Sequence, residues 1–302
     1  DEMPDTAASA ARVVQPEKAG YNIMVPLANP EHEKDLITLA AAMAKQTNGR
    51  VTAVHIVGVP DQLSLEAGAE HIDELDAESG ELLARAEKDA ETLGVPIETH
   101  TIMAHRVFRE IFDAAETYDA DLVMLGWGED SHGSPGRVES ALGDIAGELP
   151  CDFAVIKDEG IDASRVLVPT NGGPDSDVSA AIASVLHDQM GADITLMNVA
   201  GTDDAPQERR EFLEHWAIEH ELEYANMVIP QSDDIADAIV SETANHTMLI
   251  LGATERGLMR RLTRGTVIAD IVRRVDKTVI IGEKAHDRSL IQRLFGRGAR
   301  SR

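Results

Sequence analysis

The sequence predicts an α/β protein of two tandem, doubly wound parallel-sheet domains, and three observations carry that expectation. First, the second half repeats the first. DLVMLGW from Asp121 to Trp127 is matched by TMLILGA from Thr247 to Ala253, which sets Gly126 and Gly252 126 positions apart. The same offset pairs Asp144-Ile145 with Asp270-Ile271 and Ala154-Val155 with Ile280-Ile281, whereas Ile23 to Pro26 matches Val166 to Pro169 at an offset of 143. The second copy is therefore 17 residues shorter in its middle, and any site must be judged copy by copy. Second, short apolar runs alternate with stretches of helical period in both copies, as βα units around a parallel sheet do. Third, 302 residues suffice for two domains of ordinary size.

In order, residues 1–19 are polar and read as a linker. Tyr21 to Leu27 is a buried strand, Glu31 to Gln46 a helix stopped by Asn48-Gly49, and Val51 to Val57 a strand. Ser64 to Leu93 is a long acidic helical region, broken near Gly68 and ended by Gly94. Pro96 to Met103 is a strand, Val107 to Tyr118 a helix, Leu122 to Leu125 a strand, Glu139 to Leu149 a helix and Phe153 to Ile156 a strand. Asp158 to Ser164 is too short to separate two domains, so they must pack as neighbours. The second copy runs as a strand Arg165 to Val168, a helix Asp177 to Met190, a strand Ile194 to Val199 and a helix from about Pro206 to Leu222. A strand Tyr224 to Ile229, a helix Ile235 to Asn245, a strand Met248 to Leu251, a helix Thr266 to Val275 and a strand Thr278 to Ile281 complete it. The expected domains are 20–158 and 162–283, with a tail at 284–302.

Acidic residues number 54 against 27 basic ones, a net charge of −27, and only seven of the basic residues are lysines. Such a surface repels phosphate backbones and disfavours nucleic-acid binding. It fits a halophilic cytoplasm, where salt screens the self-repulsion, better than a merely acidic mesophilic protein. The tail runs the other way: six basic residues against one aspartate leave it at +5, and Leu290, Ile291, Leu294 and Phe295 recur at helical spacing. It suits an anionic membrane surface or an acidic protein face, or else a disordered solubilising end. The single cysteine, Cys151, excludes an internal disulfide and reads as a buried thiol. No apolar run is long enough to span a bilayer, no signal peptide is visible, and the start at Asp1 suggests a piece of something longer.

The sharpest chemical signal follows the strand ending at Leu251. Gly252-Ala253 leads through Arg256, Gly257, Arg260, Arg261 and Arg264 to Gly265-Thr266-Val267 and a helix. Ligands of doubly wound sheets bind beyond the carboxyl ends of strands. Gly252 permits close backbone approach. Free N–H groups at the helix start, the Thr266 hydroxyl and the arginines suit a nucleotide phosphate. The same glycines could equally serve only tight turns. The histidines are scattered without metal-ligand spacing, and no nucleophile, base and acid arrangement rises above chance.

On these residues the chain resembles the universal stress protein family in tandem-domain form, over roughly residues 20–283. The resemblance implies two adenine nucleotide alpha hydrolase-like domains forming a pseudo-dimer. The family's nucleotide-binding members carry Gly-x2-Gly-x9-Gly-Ser/Thr after the fourth strand. Here Gly252 and Gly265-Thr266 stand at its ends, Glu255 replaces the middle glycine, and Gly257 lies out of register. By resemblance, the pocket wall is Pro169-Thr170-Asn171-Gly172, with Asn171 where an Asp is usual, and adenine sits near Val199. Ala253, Arg256 and Val267 complete the expected nucleotide-binding set. In the first copy Glu139-Ser140 stands in the place of the Gly-Ser/Thr pair and would repel an anion, so that domain is expected to be degenerate. The family's dimers often pair their last strands, here Phe153 to Ile156 and Thr278 to Ile281, which one tandem chain can pair internally.

The resemblance includes tandem domains on the cytosolic ends of amino-acid permeases and cation/proton antiporters. Asn29-Pro30-Glu31-His32 and Gly252-Ala-Thr-Glu-Arg-Gly257 look like those appended versions. The expected function is thus a cytoplasmic, non-enzymatic regulatory module, at the cytosolic face of the membrane. It senses ATP or AMP, with no metal beyond nucleotide-bound Mg, and modulates a transporter. Expected partners are the nucleotide, a transporter domain or anionic membrane reached by the tail, and a second copy. The competing reading is an interaction scaffold of the same fold that binds no nucleotide, which Glu255 and Glu139 favour. A weak ATPase ranks last, for want of a positioned base or metal-binding acidic pair.

Overall fold

The computed structural model describes residues 20–59, 72–127, 149–253 and 267–285. The expected helix at 139–149, almost all of it, the glycine- and arginine-rich stretch 254–266, the linker 1–19 and most of the basic tail lie outside the described residues.

In the first half, β1 (Asn22–Leu27), α1 (Pro30–Thr47), β2 (Arg50–Gly58), α2 (Ile72–Leu93), β3 (Ile97–Ala104), α3 (Val107–Thr117), β4 (Leu122–Trp127) and β5 (Asp152–Lys157) follow one another. In the second half come β6 (Arg165–Pro169), α4 (Pro174–Met190), β7 (Asp193–Met197), α5 (Pro206–Glu219), β8 (Asn226–Val228), α6 (Ile235–Thr243), β9 (Met248–Gly252), α7 (Val267–Arg274) and β10 (Thr278–Glu283). All ten strands form one sheet in the order β3-β2-β1-β4-β5-β10-β9-β6-β7-β8. Each half has the same internal order, and every named strand pair is parallel except β5–β10. At that antiparallel junction Val155 pairs with Ile281, its own equivalent at the offset of 126. A pseudo-twofold axis therefore passes through this pair.

The period of two along each strand builds two cores. In β5, Ala154 and Ile156 face one core while Phe153 and Val155 face the other; in β9, Met248 and Ile250 oppose Leu249 and Leu251. Helices α1, α2, α4 and α5 cover the first face, and α3, α6 and α7 the second. Each core runs across the junction, and α1 packs on α4 there. The halves therefore share their apolar interior, in addition to the strand pairing.

Most element boundaries match the sequence expectation to within a few residues. Helix α4 starts at Pro174 rather than Asp177, because proline's fixed φ suits the first turn. Strand β8 is only three residues long instead of six. Tyr224 is stacked on His187, with ring centroids 3.8 Å apart, and Pro230 cannot extend a ladder. Cys151 is 7% exposed, and burial, followed by the Asp152 and Asp121 charges, pushes its thiol up to about 12, as an inert buried thiol requires.

Candidate functional site

The strand order reverses direction between β6 and β9, and there the two strands part. They pair only at Val166–Met248 and Leu167–Leu249, whereas β6 stays in register with β7 through Pro169–Met197. Proline explains the parting. Thr170 N–H donates to the Met197 carbonyl at 2.9 Å, so the backbone N of position 169 faces the β9 side, and Pro169 has no hydrogen to give. Pro26, its equivalent at the offset of 143, sits in β1 beyond the last β1–β4 pair, Met24–Val123. In both halves a crevice thus opens at the carboxyl ends of the strands, where ligands of doubly wound sheets bind.

The wall after β6 is held by its own hydrogen bonds. The Thr170 hydroxyl donates to Ser176 Oγ at 3.1 Å and accepts from Gly172 N–H at 3.1 Å, while Ser176 Oγ donates to the Gly172 carbonyl at 3.0 Å. Gly173, with φ of 95°, turns the chain into α4, a conformation a side chain would strain. Asn171 is exposed at the tip. Thr170 is thereby committed to shaping the loop, and its hydroxyl is engaged on both sides.

Across β7, the Asn198 side-chain amide donates to the Thr170 carbonyl at 2.7 Å. Asn198 is 3% exposed, and its Oδ1 has no protein partner among the described residues. Val199 follows, partly buried against the second core. Sequence reasoning passed over Asn198. The signal that finds it is the offset of 143, which maps it onto His55.

On the β9 side, Gly252 does accommodate a close approach, and the approaching group is protein. A Cβ there would stand 3.2 Å from the backbone of Asp175 and Ser176, in the first turn of α4. Its equivalent Gly126 would first meet the Leu36 side chain, at 3.1 Å. Ala253 is buried, and its N–H donates to the Gly282 carbonyl at 2.7 Å. Val267 is exposed at the start of α7. Pro169, Thr170, Gly172, Val199, Gly252 and Ala253 therefore gather around the ends of β6, β7 and β9. Arg256, Gly257, Gly265 and Thr266 lie outside the described residues.

Beside the crevice, the first turn of α4 is tied to the residue that follows β10. Lys284 N–H donates to Asp175 Oδ1 at 3.0 Å, and Lys284 Nζ pairs with Asp177 Oδ2. His220 Nε2 stands 3.1 Å from Asp177 Oδ1. Partial burial works against the Asp177 charge, but the Lys284 and His220 contacts outweigh it and hold its carboxyl below the ordinary range. Among the described residues no cluster of His, Cys, Asp and Glu has the geometry of a metal site.

A family model described as the Universal stress protein family matches residues 21–157, the stretch of β1 to β5. A universal stress protein from Archaeoglobus fulgidus DSM 4304 shares the fold with a TM-score of 0.63 at 16% identity, over 88% of this chain and 97% of that one. The cytoplasmic domain of a prokaryotic cation chloride cotransporter does so with a TM-score of 0.55 at 11% identity, over 87% and 95%. In sequence, the Na(+)/H(+) antiporter NhaS5 of Synechocystis sp. is 22% identical over 281 residues, which are 90% of this chain but 40% of the antiporter. The chain thus spans well under half the length of that relative, and no helix among the described residues is long and apolar enough to cross a membrane. Residues 21–157 thus match the universal stress protein family, and the second half is wound in the same strand order.

Proposed function

We propose that the chain is a regulatory module that senses an adenine nucleotide in its second half and modulates a membrane cation transporter. The observation that carries the transporter role is the alignment with an antiporter over nearly the whole of this chain and less than half of that protein. A module that aligns with so limited a share of a transporter serves its control better than its conduction path. The nucleotide site is the crevice at the ends of β6, β7 and β9, and the sequence Gly265-Thr266 offers a glycine and a hydroxyl suited to its phosphate. The first half, which carries Glu139 at the corresponding place, acts as the fixed partner across the shared sheet. Residues 1–19 and 284–302 are the connections through which a nucleotide-dependent change in packing reaches the membrane partner.

A scaffold that binds no nucleotide is the second reading. It is favoured by Glu255 in the glycine motif and by the α4 backbone that fills the space beside Gly252. Calorimetric titration of ATP and AMP at molar salt separates the two, because salt screens the strong self-repulsion of the chain. Heat that Gly265→Glu abolishes supports the sensor. Absence of heat at millimolar nucleotide, with the protein folded, leaves the scaffold.

A further inference from the structure

The linker between the halves is held to α1 by acids rather than by apolar packing alone. His32 Nδ1 stands 2.8 Å from Asp158 Oδ2, and the Asp158 side chain is only 5% exposed. One turn along α1, Asp35 Oδ2 accepts the Ile161 N–H at 3.2 Å, which sets its carboxyl beside that of Asp158, the acceptor of the neighbouring Gly160 N–H. Two carboxyl groups share a hydrogen bond only when one of them holds a proton. Asp158 Oδ1 also accepts the Gly160 N–H at 2.9 Å, and Thr278 Oγ1 accepts from Glu159 N–H at 3.0 Å while donating to the Gly160 carbonyl at 2.8 Å. Consecutive linker residues are thus fastened at one spot.

The pseudo-symmetric place in the second half is built differently. Lys284 occupies the position equivalent to Asp158, and Val178 the position equivalent to Asp35. There the Lys284 ammonium meets Asp177 while the Lys284 backbone N–H donates to Asp175, and no proton needs to be shared. The acid pair is a property of one seam only.

We propose that Asp35, Asp158 and His32 form a proton-dependent clasp that holds the interdomain linker on α1 when the two carboxyl groups share a proton and releases it when that proton leaves. The surroundings favour the shared proton. Burial, followed by the Asp158 charge, raises the Asp35 carboxyl above its ordinary range, against the opposing pull of the Ile161 N–H and Lys34. The other charged groups near the clasp are Lys157 and Glu159. They pair with each other at 3.2 Å, and Lys157 Nζ also donates to the Val275 carbonyl at 2.7 Å, so this lysine is already engaged. The sign follows from the raised value. The clasp is fully made below the ordinary aspartate range and is lost as pH rises through the elevated value of Asp35, where two ionised carboxylates are left face to face. The clasp lies apart from the nucleotide crevice and does not depend on it.

The test uses the full chain at molar salt. Amide exchange of Ile161 and Gly160, corrected for the intrinsic pH dependence of exchange, is followed from acid to neutral pH in the wild type and in Asp35→Asn. The carboxamide introduced by that substitution can accept from Ile161 and donate to Asp158 at every pH. Wild-type protection should fall by up to about tenfold per pH unit above the midpoint, while the variant profile stays flat. Equal slopes in the two proteins overturn the clasp. Should the variant not fold, the Asp35 carboxyl carbon is titrated by NMR in the wild type. A midpoint above the ordinary aspartate range supports the clasp, and one within it overturns it.

Discussion

Asn198 donates its side-chain amide to the Thr170 carbonyl at 2.7 Å, and 143 residues earlier His55 makes the same clip to the Leu27 carbonyl at 2.8 Å. Both span from the end of the second strand of a half to the end of its first, beside the crevice. A carbonyl only accepts, so the His55 ring must carry its hydrogen on Nδ1. The clip holds the strand end where proline has removed the neighbour on the other side.

Asn198→Ala should therefore cost modestly. It leaves the Thr170 carbonyl without this donor, but it also removes a buried oxygen that has no protein partner among the described residues. The expected loss is about 1 kcal/mol. Asn198→Asp should cost more, about 2 kcal/mol or more, because a buried carboxylate would face a carbonyl it cannot donate to. Denaturant midpoints of the two variants check the order, and an aspartate milder than the alanine would refute the clip.

The two equivalent glycines should respond unequally. At Gly252 a new methyl meets backbone of Asp175 and Ser176, which moves only with the start of α4, so Gly252→Ala should destabilise by about 1–3 kcal/mol. At Gly126 the neighbour is the end of the Leu36 side chain, which can turn away, so Gly126→Ala should cost under about 1 kcal/mol. Thermal unfolding of both variants in one buffer decides it.

Acid should expose the Asp177–Lys284 contact. With the Asp177 carboxyl held below its ordinary range, the contact contributes stability above the unfolded-state value and loses it as pH falls through the folded one. Wild-type urea midpoints should drop on acidification below about pH 4, and Asp177→Asn should start lower and flatten that limb. Lys284→Met should behave like Asp177→Asn, since it removes the cation that holds the carboxylate charged.

The repeat made the strand order of each half legible, because apolar runs such as β1 and β9 leave few alternatives to a central parallel strand. The pairing of Phe153–Ile156 with Thr278–Ile281, expected from family resemblance, is the β5–β10 junction. Pro26 read as a simple strand end and Pro169 as part of the pocket wall by resemblance, although their missing hydrogens mark where the crevice opens; that meaning appears only once the neighbour on each side is known. Asn198 hid for a related reason, since it reads as one more residue of the strand Ile194 to Val199 until His55 is set beside it. Asp35 and Asp158 read as ordinary solvated acids of a helix and a linker. Their proximity joins positions 123 residues apart, a separation at which local sequence patterns carry no information.

The junction at Val155 and Ile281 has a consequence for how the protein behaves as its amount in the cell changes. Two separate subunits that pair edge to edge come apart on dilution, and their response drifts with copy number. Here the two edges belong to one chain and meet at an effective concentration fixed by a linker of a few residues, whatever the abundance of the protein. Signals read by this sheet are thereby insulated from expression level, and either half can change its sequence without having to find its partner again.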